Sequence, residues 1–272
     1  MTEVKRPWTR ETLWYEQSSP VVSIDIVPGS MKARAYIDIY WETLWKVPQG
    51  NKVESLVVPN GAMSLVFNED WAPWDAFLTG TRKISYKAEF AGSGGMMGVN
   101  FKPGGAASLT AGRASQFSGK KMTLASLIGE KAESLKAEIF SQGTFIEQCA
   151  VLDRFFEEVL PTTVDQNMLL VQEVVNFITI SPDVPTLGDL CDRFSINLRR
   201  LQRLFSEYVG VSPKTIIRVK RFHKAAAEMV CGTLVEWSQL ALDLGYSDQS
   251  HFINDFRKIT GFTPEYYNER FV

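Results

Sequence analysis

A chain of 272 residues is longer than one typical domain, and with 45% hydrophobic and 12% aromatic residues it can bury a sizeable core. A formal net charge of −2 excludes a uniform basic coat for nucleic acid or membrane, but not a local basic face. Three widely spaced cysteines, Cys149, Cys191 and Cys231, exclude a CxxC pair and read as reduced, mostly buried thiols. Met1 to Arg10 carries no apolar signal segment, and no run reaches the ~18 apolar residues of a membrane span, so a soluble cytoplasmic protein is expected.

The first half reads as β. Val21–Val27 partly alternates and is ended by Pro28-Gly29; Ala35–Trp45 is rich in aromatic and β-branched residues. Leu56–Val58 and Met63–Phe67 flank Pro59-Asn60-Gly61, a turn tripeptide between two apolar runs. Ile84–Phe90 alternates, and Met96–Phe101 follows a Gly-rich stretch. Short, closely spaced strands predict a barrel or sandwich. Gly92–Gly98 is not a GxGxxG phosphate loop, because Met97 takes the last Gly position and more strand follows, so a flexible hairpin loop is expected. Lys102–Leu109 switches to a short helix, with Gly104-Gly105 as a strand-to-helix turn, and Glu130–Gln142 and Thr144–Leu160 are helical. In the last of these Phe145, Cys149, Leu152, Phe156 and Val159 form one stripe that packs between sheet and partner helix, with a dimer helix as the sharper alternative.

Catalysis has little to draw on in this half. Both histidines, His223 and His251, lie in the last quarter, so a His-based triad or metal site here is impossible. Glu42, Glu69, Asp70 and Asp75 could supply a carboxylate pair but carry no flanking motif. Trp41, Trp45, Phe67 and Tyr86, with Trp71, Trp74 and Phe90 nearby, are instead a candidate ligand pocket or simply core. No enzyme, metal or cofactor is expected.

Pro161–Asp165 breaks the helical pattern, so the domains are placed at 1–160 and 167–272 with a linker at 161–166. Asn167–Ile180 is a helix with Leu169 or Leu170, Val174, Phe177 and Ile178 inward. Thr186 caps the next short helix, with Asp189 in the capping-box position. After a turn at Phe194–Asn197, Asn197 caps a second helix. There Leu201, Leu204, Phe205 and Tyr208 face inward, Arg199, Gln202, Arg203 and Ser206 face outward, and Gly210 stops it. Ser212 and Pro213 start a helix of about 17 residues, roughly 25 Å long. Ile216, Val219, Phe222 or His223, Ala226 and Met229 or Val230 face inward; Arg218, Lys220, Arg221 and Lys224 are basic and available. Then the pattern returns. Val235–Leu244 is a short helix, Gly245-Tyr246 the turn, and Ser247 caps a helix to Thr260 with Phe252, Phe256 and Ile259 inward. Phe-Ser-Glu-Tyr-Val-Gly-Val-Ser-Pro at 205–213 and Phe-Arg-Lys-Ile-Thr-Gly-Phe-Thr-Pro at 256–264 are two copies of one unit. A short helix anchoring a second one with an exposed polar face is what a major-groove reader needs.

Residues 165–272 resemble the DNA-binding domain of the AraC/XylS family of bacterial transcription regulators, on Leu244-Gly-Tyr-Ser-Asp-Gln-Ser-His-Phe252, Phe256-Arg-Lys258 and Gly261-Phe-Thr-Pro264. Residues 1–160 are similar to a sensor-like N-terminal domain of some members, on Val58–Phe67 and Val99–Ala106. The resemblance implies base contacts from Arg199, Gln202 and Arg203 in the first unit and Ser250, His251 and Asn254 in the second. Arg203 can pair with guanine and Gln202 with adenine. Many relatives carry Arg where this chain has Asn254, and with Asp248 and Asp255 nearby the second helix is the weaker reader. Phosphate contacts are expected from Thr186, Lys214, Arg218, Lys220, Arg221, Gln249 and Lys258.

The expected architecture is α+β: a β-rich domain with trailing helices, then an all-α domain of two helix-turn-helix units joined by a long helix. The expected function is a sequence-specific transcription regulator whose N-terminal domain binds a small molecule or partner. Double-stranded DNA is the partner this requires, with a small-molecule effector, RNA polymerase and a second copy of the chain as further candidates. The alternative is a protein-interaction adaptor that keeps the fold without DNA binding.

Overall fold

A computed structural model describes residues 22–30, 33–68, 75–110, 112–230 and 236–271. Trp71, Trp74, Glu69, Asp70 and Cys231 lie outside the described residues. The strands are β1 (Val22–Pro28), β2 (Ile37–Lys46), β3 (Val53–Val57), β4 (Met63–Phe67), β5 (Ala76–Thr79), β6 (Tyr86–Phe90), β7 (Ser93–Phe101) and β8 (Lys121–Thr123). They form an antiparallel six-stranded sheet, in order β1-β2-β7-β4-β5-β8, and a separate two-stranded sheet of β3 and β6. Gly61 turns the chain at φ +77°, and the Ala62 N–H donates to Asn60 Oδ1 at 3.0 Å, but the strands on either side do not pair. β3 pairs with β6, while β4 pairs with β5 and β7, so the turn carries the chain from one sheet to the other.

The Gly-rich stretch is not a loop. Ser93–Gly98 is the first part of β7, paired along β2 from Lys46 to Trp41. A Cβ at Gly98 would stand 2.4 Å from a ring carbon of Trp41, and one at Gly94 2.3 Å from Trp45. Glycine is there because an indole lies across the strand, a close approach that period-2 reading does not reveal. Lys102–Leu109 forms a single 3-10 turn, Gly105–Ser108, rather than an α-helix.

Three helices cover one face of the large sheet: α1 (Leu124–Ile128), α2 (Lys131–Phe140) and α3 (Phe145–Val159). Tyr40, Leu65, Phe67, Val99 and Phe101 pack there with Ile139, Leu152 and Phe156. Thr144 caps α3 by accepting from the Glu147 N–H, and the Tyr40 hydroxyl donates to Asp153 at 2.6 Å. The remaining helices are α4 (Gln166–Ile180), α5 (Leu187–Arg193), α6 (Leu198–Tyr208), α7 (Pro213–Val230), α8 (Trp237–Asp243), α9 (Gln249–Thr260) and α10 (Pro264–Phe271). α4 to α6 and the start of α7 share one core, around Val174, Leu190, Leu204, Phe205 and Ile216. The other, around Phe222, Leu240, Phe252, Phe256 and Tyr267, is completed by Leu56 and Val58 from the β-rich half.

The two halves are joined by more than chain. Gln172 of α4 donates to Ala35 O and Pro103 O at 2.9 and 3.0 Å, and the Tyr36 hydroxyl sits 3.1 Å from Pro161 O in the linker. His223, 1% exposed on α7, has Nε2 3.0 Å from Pro59 O. Burial pushes its pKa from 6.5 down to about 4, the Pro59 bond working the other way. Folding therefore favours the neutral ring. That contribution is present above pH 6.5 and is lost as pH falls from there towards 4, by up to roughly 3 kcal/mol. Denaturant titrations at stepped pH should show that His223→Gln loses this part of the wild-type pH dependence; parallel profiles for the two proteins would refute it.

Candidate nucleic-acid interface

Both helix-turn-helix units are built by the same local bonds. In the first, the Ser195 N–H donates to Asp192 O and the Ile196 N–H to Cys191 O at 3.0 Å. In the second, fifty residues on, the Gly245 N–H donates to Leu242 O and the Tyr246 N–H to Ala241 O at 2.9 Å. The residue at the bend is left-handed in both, φ +49° at Ser195 and +76° at Gly245. The second unit uses the residue type that tolerates this; the first pays a steric cost.

α5 begins with the expected capping box, Thr186 accepting from the Asp189 N–H and Asp189 from the Thr186 N–H. α6 begins at Asn197, which accepts from the Arg200 N–H at 2.9 Å. Leu201, Leu204 and Phe205 are buried, so Arg199, Gln202 and Arg203 are turned outward and exposed. Arg199, Arg200 and Arg203 surround Asn197 in a shallow basic depression. α9 is capped by Asp248 rather than Ser247, through the His251 N–H at 2.8 Å. Phe252, Phe256 and Ile259 are buried, and Ser250, His251 and Asn254 are exposed. The His251 ring rests edge-on against Tyr246, centroids 5.1 Å apart, with Nδ1 3.4 Å from Ser247 Oγ. Both outward trios are thus brought to helix surfaces, and the second carries less positive charge.

The phosphate set divides. Lys214, Gln249 and Lys258 are exposed, with Lys258 3.4 Å from Asp255. Thr186 is exposed, but its hydroxyl oxygen and N–H are engaged in the capping box. Lys220 is misassigned as available: it is 8% exposed and its ammonium donates to Thr179 O on α4. Its aliphatic stem crosses the core and its charge meets the carbonyl end of that helix. Arg218 and Arg221 are half-buried, and the Arg221 guanidinium lies over the Tyr246 ring, 4.6 Å from its centre. The Lys224 ammonium donates to Pro182 O. The joining helix therefore spends much of its charge inside the protein.

The four candidate aromatics do not form one pocket. Residues paired across strands share a face, so Phe67 opposite Met97 faces the helices, while Trp41 opposite Gly98 faces the other way. Phe67 is fully buried in the helix-side core. The Trp41 indole donates to Asn100 Oδ1, which also accepts from Ser64 Oγ at 2.6 Å. Trp45 packs with Phe90 at 5.1 Å, and Tyr86 is 41% exposed beneath the Arg82 guanidinium. Of the carboxylates, Asp75 is ion-paired with Lys136 at 2.5 Å, and Glu42 faces exposed Asp25 across β1 and β2. α3 spends Cys149, Leu152 and Phe156 on its own domain's core and presents Ile146 among Glu147, Arg154, Glu157 and Glu158.

Sequence reasoning missed the residues by which the β-rich half holds α6 and α9. Thr81 Oγ1 donates to Val209 O at 2.5 Å and the Gly104 N–H to Tyr208 O at 2.8 Å, both at the end of α6. Ser115 Oγ is 3.1 Å from Ser206 Oγ on the outward face of α6. The Ser85 N–H donates to Ile259 O at the end of α9, at 2.7 Å. The left-handed conformation of Gly104, φ +77°, which presents its N–H to α6, has a local trace in the Gly-Gly pair; the others have none.

Residues 190–270 match the family model described as "Helix-turn-helix domain", and residues 26–123 match one described as "Domain of unknown function (DUF6597)". The F1 operon positive regulatory protein of Yersinia pestis is 41% identical over 69 residues, 25% of this chain; the match spans 23% of that relative's length. Among solved structures, ToxT of Vibrio cholerae O395 bound to (E)-4-(8-methylnaphthalen-1-yl)but-3-enoic acid aligns over 93% of this chain and all of its own, at 11% identity and a TM-score of 0.40. Unsaturated fatty acid bound wild-type ToxT of strain SCE256 aligns over 93% of this chain and 97% of its own, at 12% identity and 0.36.

Two outcomes follow from the geometry. Lys220→Met should lower unfolding free energy by ~1–3 kcal/mol by orphaning Thr179 O, yet leave the salt slope of DNA binding unchanged; a reduced slope would return Lys220 to the phosphate set. Ser195→Gly should raise thermal stability by on the order of 1 kcal/mol by relieving the left-handed bend, measurable by calorimetry.

Proposed function

We propose that this chain, whose C-terminal region is a helix-turn-helix domain of the AraC type, is a sequence-specific DNA-binding transcription regulator working in the cytoplasm. The observation that carries this is the duplication: two units with the same hydrogen-bonded bend, each presenting an exposed polar trio on its second helix. Arg199, Gln202 and Arg203 are the principal base readers, with Arg203 suited to guanine and Gln202 to adenine. Ser250, His251 and Asn254 read the second segment more weakly, and Lys214, Gln249 and Lys258 hold phosphates. α7, 18 residues and so about 27 Å long, separates the units by a distance close to one DNA turn, ~34 Å. One chain then suffices for two successive major-groove segments.

The N-terminal domain is the regulatory input, receiving a small molecule or partner. Its direct bonds to the ends of α6 and α9 support this, because an event in that domain can reach both readers without a long relay.

In vitro selection from random duplex DNA with the purified chain should enrich a two-part motif; no enrichment would favour an adaptor. Arg203→Ala should lower specific affinity by ~1–3 kcal/mol and relax preference at one base pair, whereas Asn254→Ala should cost less. An unaltered base preference in Arg203→Ala would remove that residue from the readers.

A further inference from the structure

The part of the β-rich half that lies against α6 is basic. Between Glu89 and Glu130 the chain has no acidic residue and four cations, Lys102, Arg113, Lys120 and Lys121, although its net charge is −2. Lys102 donates to Arg34 O, and the Lys121 ammonium lies over the Phe77 ring, 4.4 Å from its centre. Arg113 and Lys120 are exposed. Both stand on hydrogen-bonded backbone. Arg113 O accepts from the Gln116 N–H at 3.0 Å, closing the 3-10 turn Ala114–Gln116. The Lys120 N–H donates to Phe117 O at 2.9 Å, and Lys120 O accepts from the Gly80 N–H at 3.0 Å.

That turn touches α6 on its outward face. Ser115 Oγ is 3.1 Å from Ser206 Oγ, and Ser206 follows Arg203 by about one turn of the helix. Just past the helix, a Cβ on Gly210 would stand 2.8 Å from Ala114 O, and the exposed Lys214 comes four residues later. Arg113 is two residue steps from Ser115, so their Cα atoms are at most about 7 Å apart. The second helix of such a unit puts its N-terminal residues on base edges. Arg199 to Ser206 then spans about 10 Å, close to the ~12 Å width of a major groove. Ser206 and the turn against it therefore come to the rim of the groove, where the phosphates run. A guanidinium can take a phosphate there through two parallel hydrogen bonds.

We propose that the N-terminal domain itself grips DNA: Arg113 and Lys120 bind backbone phosphates beside the segment read by α6, and with Lys214 they extend the footprint past the helix-turn-helix domain. This rests on the DNA-reading function above and adds a second domain in contact with the duplex. The contact is with phosphate charge and not with base edges, so it adds affinity for every sequence and no base preference. It acts beside the first segment and not the second, because these cations lie against α6.

The test uses the full-length chain and the duplex enriched by the wild type, titrated at stepped salt. Arg113→Gln and Lys120→Gln should each weaken binding about fivefold and reduce the slope of log affinity against log salt by about 1, with the base preference unchanged. Arg113→Lys keeps the charge and should restore the wild-type slope, which a folding defect at this position would not do. Lys46→Gln removes an equal charge from the far end of the sheet, where Lys46 pairs with Ser93 at the opposite end of β7 from Gly104, and should leave the slope as it was. Ethylation of single phosphates should interfere with wild-type binding beside the first segment, and that interference should disappear in Arg113→Gln. An unchanged salt slope in the Arg113→Gln, Lys120→Gln double variant would overturn the proposal, as would an equal loss in Lys46→Gln. Failure of the wild type to enrich any duplex would remove the DNA-reading function itself, and the phosphate contacts with it.

Discussion

The arrangement of this protein depends on which groups satisfy the last carbonyls of α6 and α9, the second helices of its two helix-turn-helix units. A helix end leaves backbone acceptors without partners, and most proteins cover them locally or with water. Here the Gly104 N–H and the Thr81 hydroxyl serve α6, and the Ser85 N–H serves α9. All three donors belong to the β-rich half. The same half places Leu56 and Val58 in the core of the second unit and Pro59 O against His223. The two helix-turn-helix units are therefore built partly out of the other domain, whose donors hold the ends of α6 and α9.

A chain of net charge −2 can still hold a basic helix surface. The cations of the joining helix are largely committed within the protein: Lys220 to a helix carbonyl, Arg221 to the Tyr246 ring, Lys224 to Pro182 O. Those on the outer face of α6, Arg199 and Arg203, are exposed. Charge is placed where a base edge could meet it, and elsewhere it does structural duty.

Much of the C-terminal half was legible because its signals are local. Thr186 and Asn197 cap their helices as their spacing requires, and the repeat of Gly210-Val-Ser-Pro213 in Gly261-Phe-Thr-Pro264 marks two units before any coordinate is seen. The failures have one cause, contact between residues far apart in sequence. Period 3.6 puts Lys220 next to the core boundary, but only Thr179, 41 residues away, decides that it turns inward. Glycines at 94 and 98 look like loop until Trp45 and Trp41 are laid over them. Pro59-Asn60-Gly61 is a turn, yet the flanking strands find partners in β6, β5 and β7. Composition leaves the aromatic set open as one pocket or as core because it cannot tell the two faces of a sheet apart; register can.

The linker has its own consequence. Between α3 and α4 it is six residues, 160–165, and is itself held: the Tyr36 hydroxyl reaches Pro161 O, and Asp165 caps α4 while accepting from the Tyr208 hydroxyl at 2.5 Å. A tether this short holds the two halves against each other at an effective concentration on the order of millimolar. Contact between the halves is then intramolecular and does not depend on the abundance of the protein. Making more copies of the protein leaves that contact unchanged and raises only encounters between separate molecules.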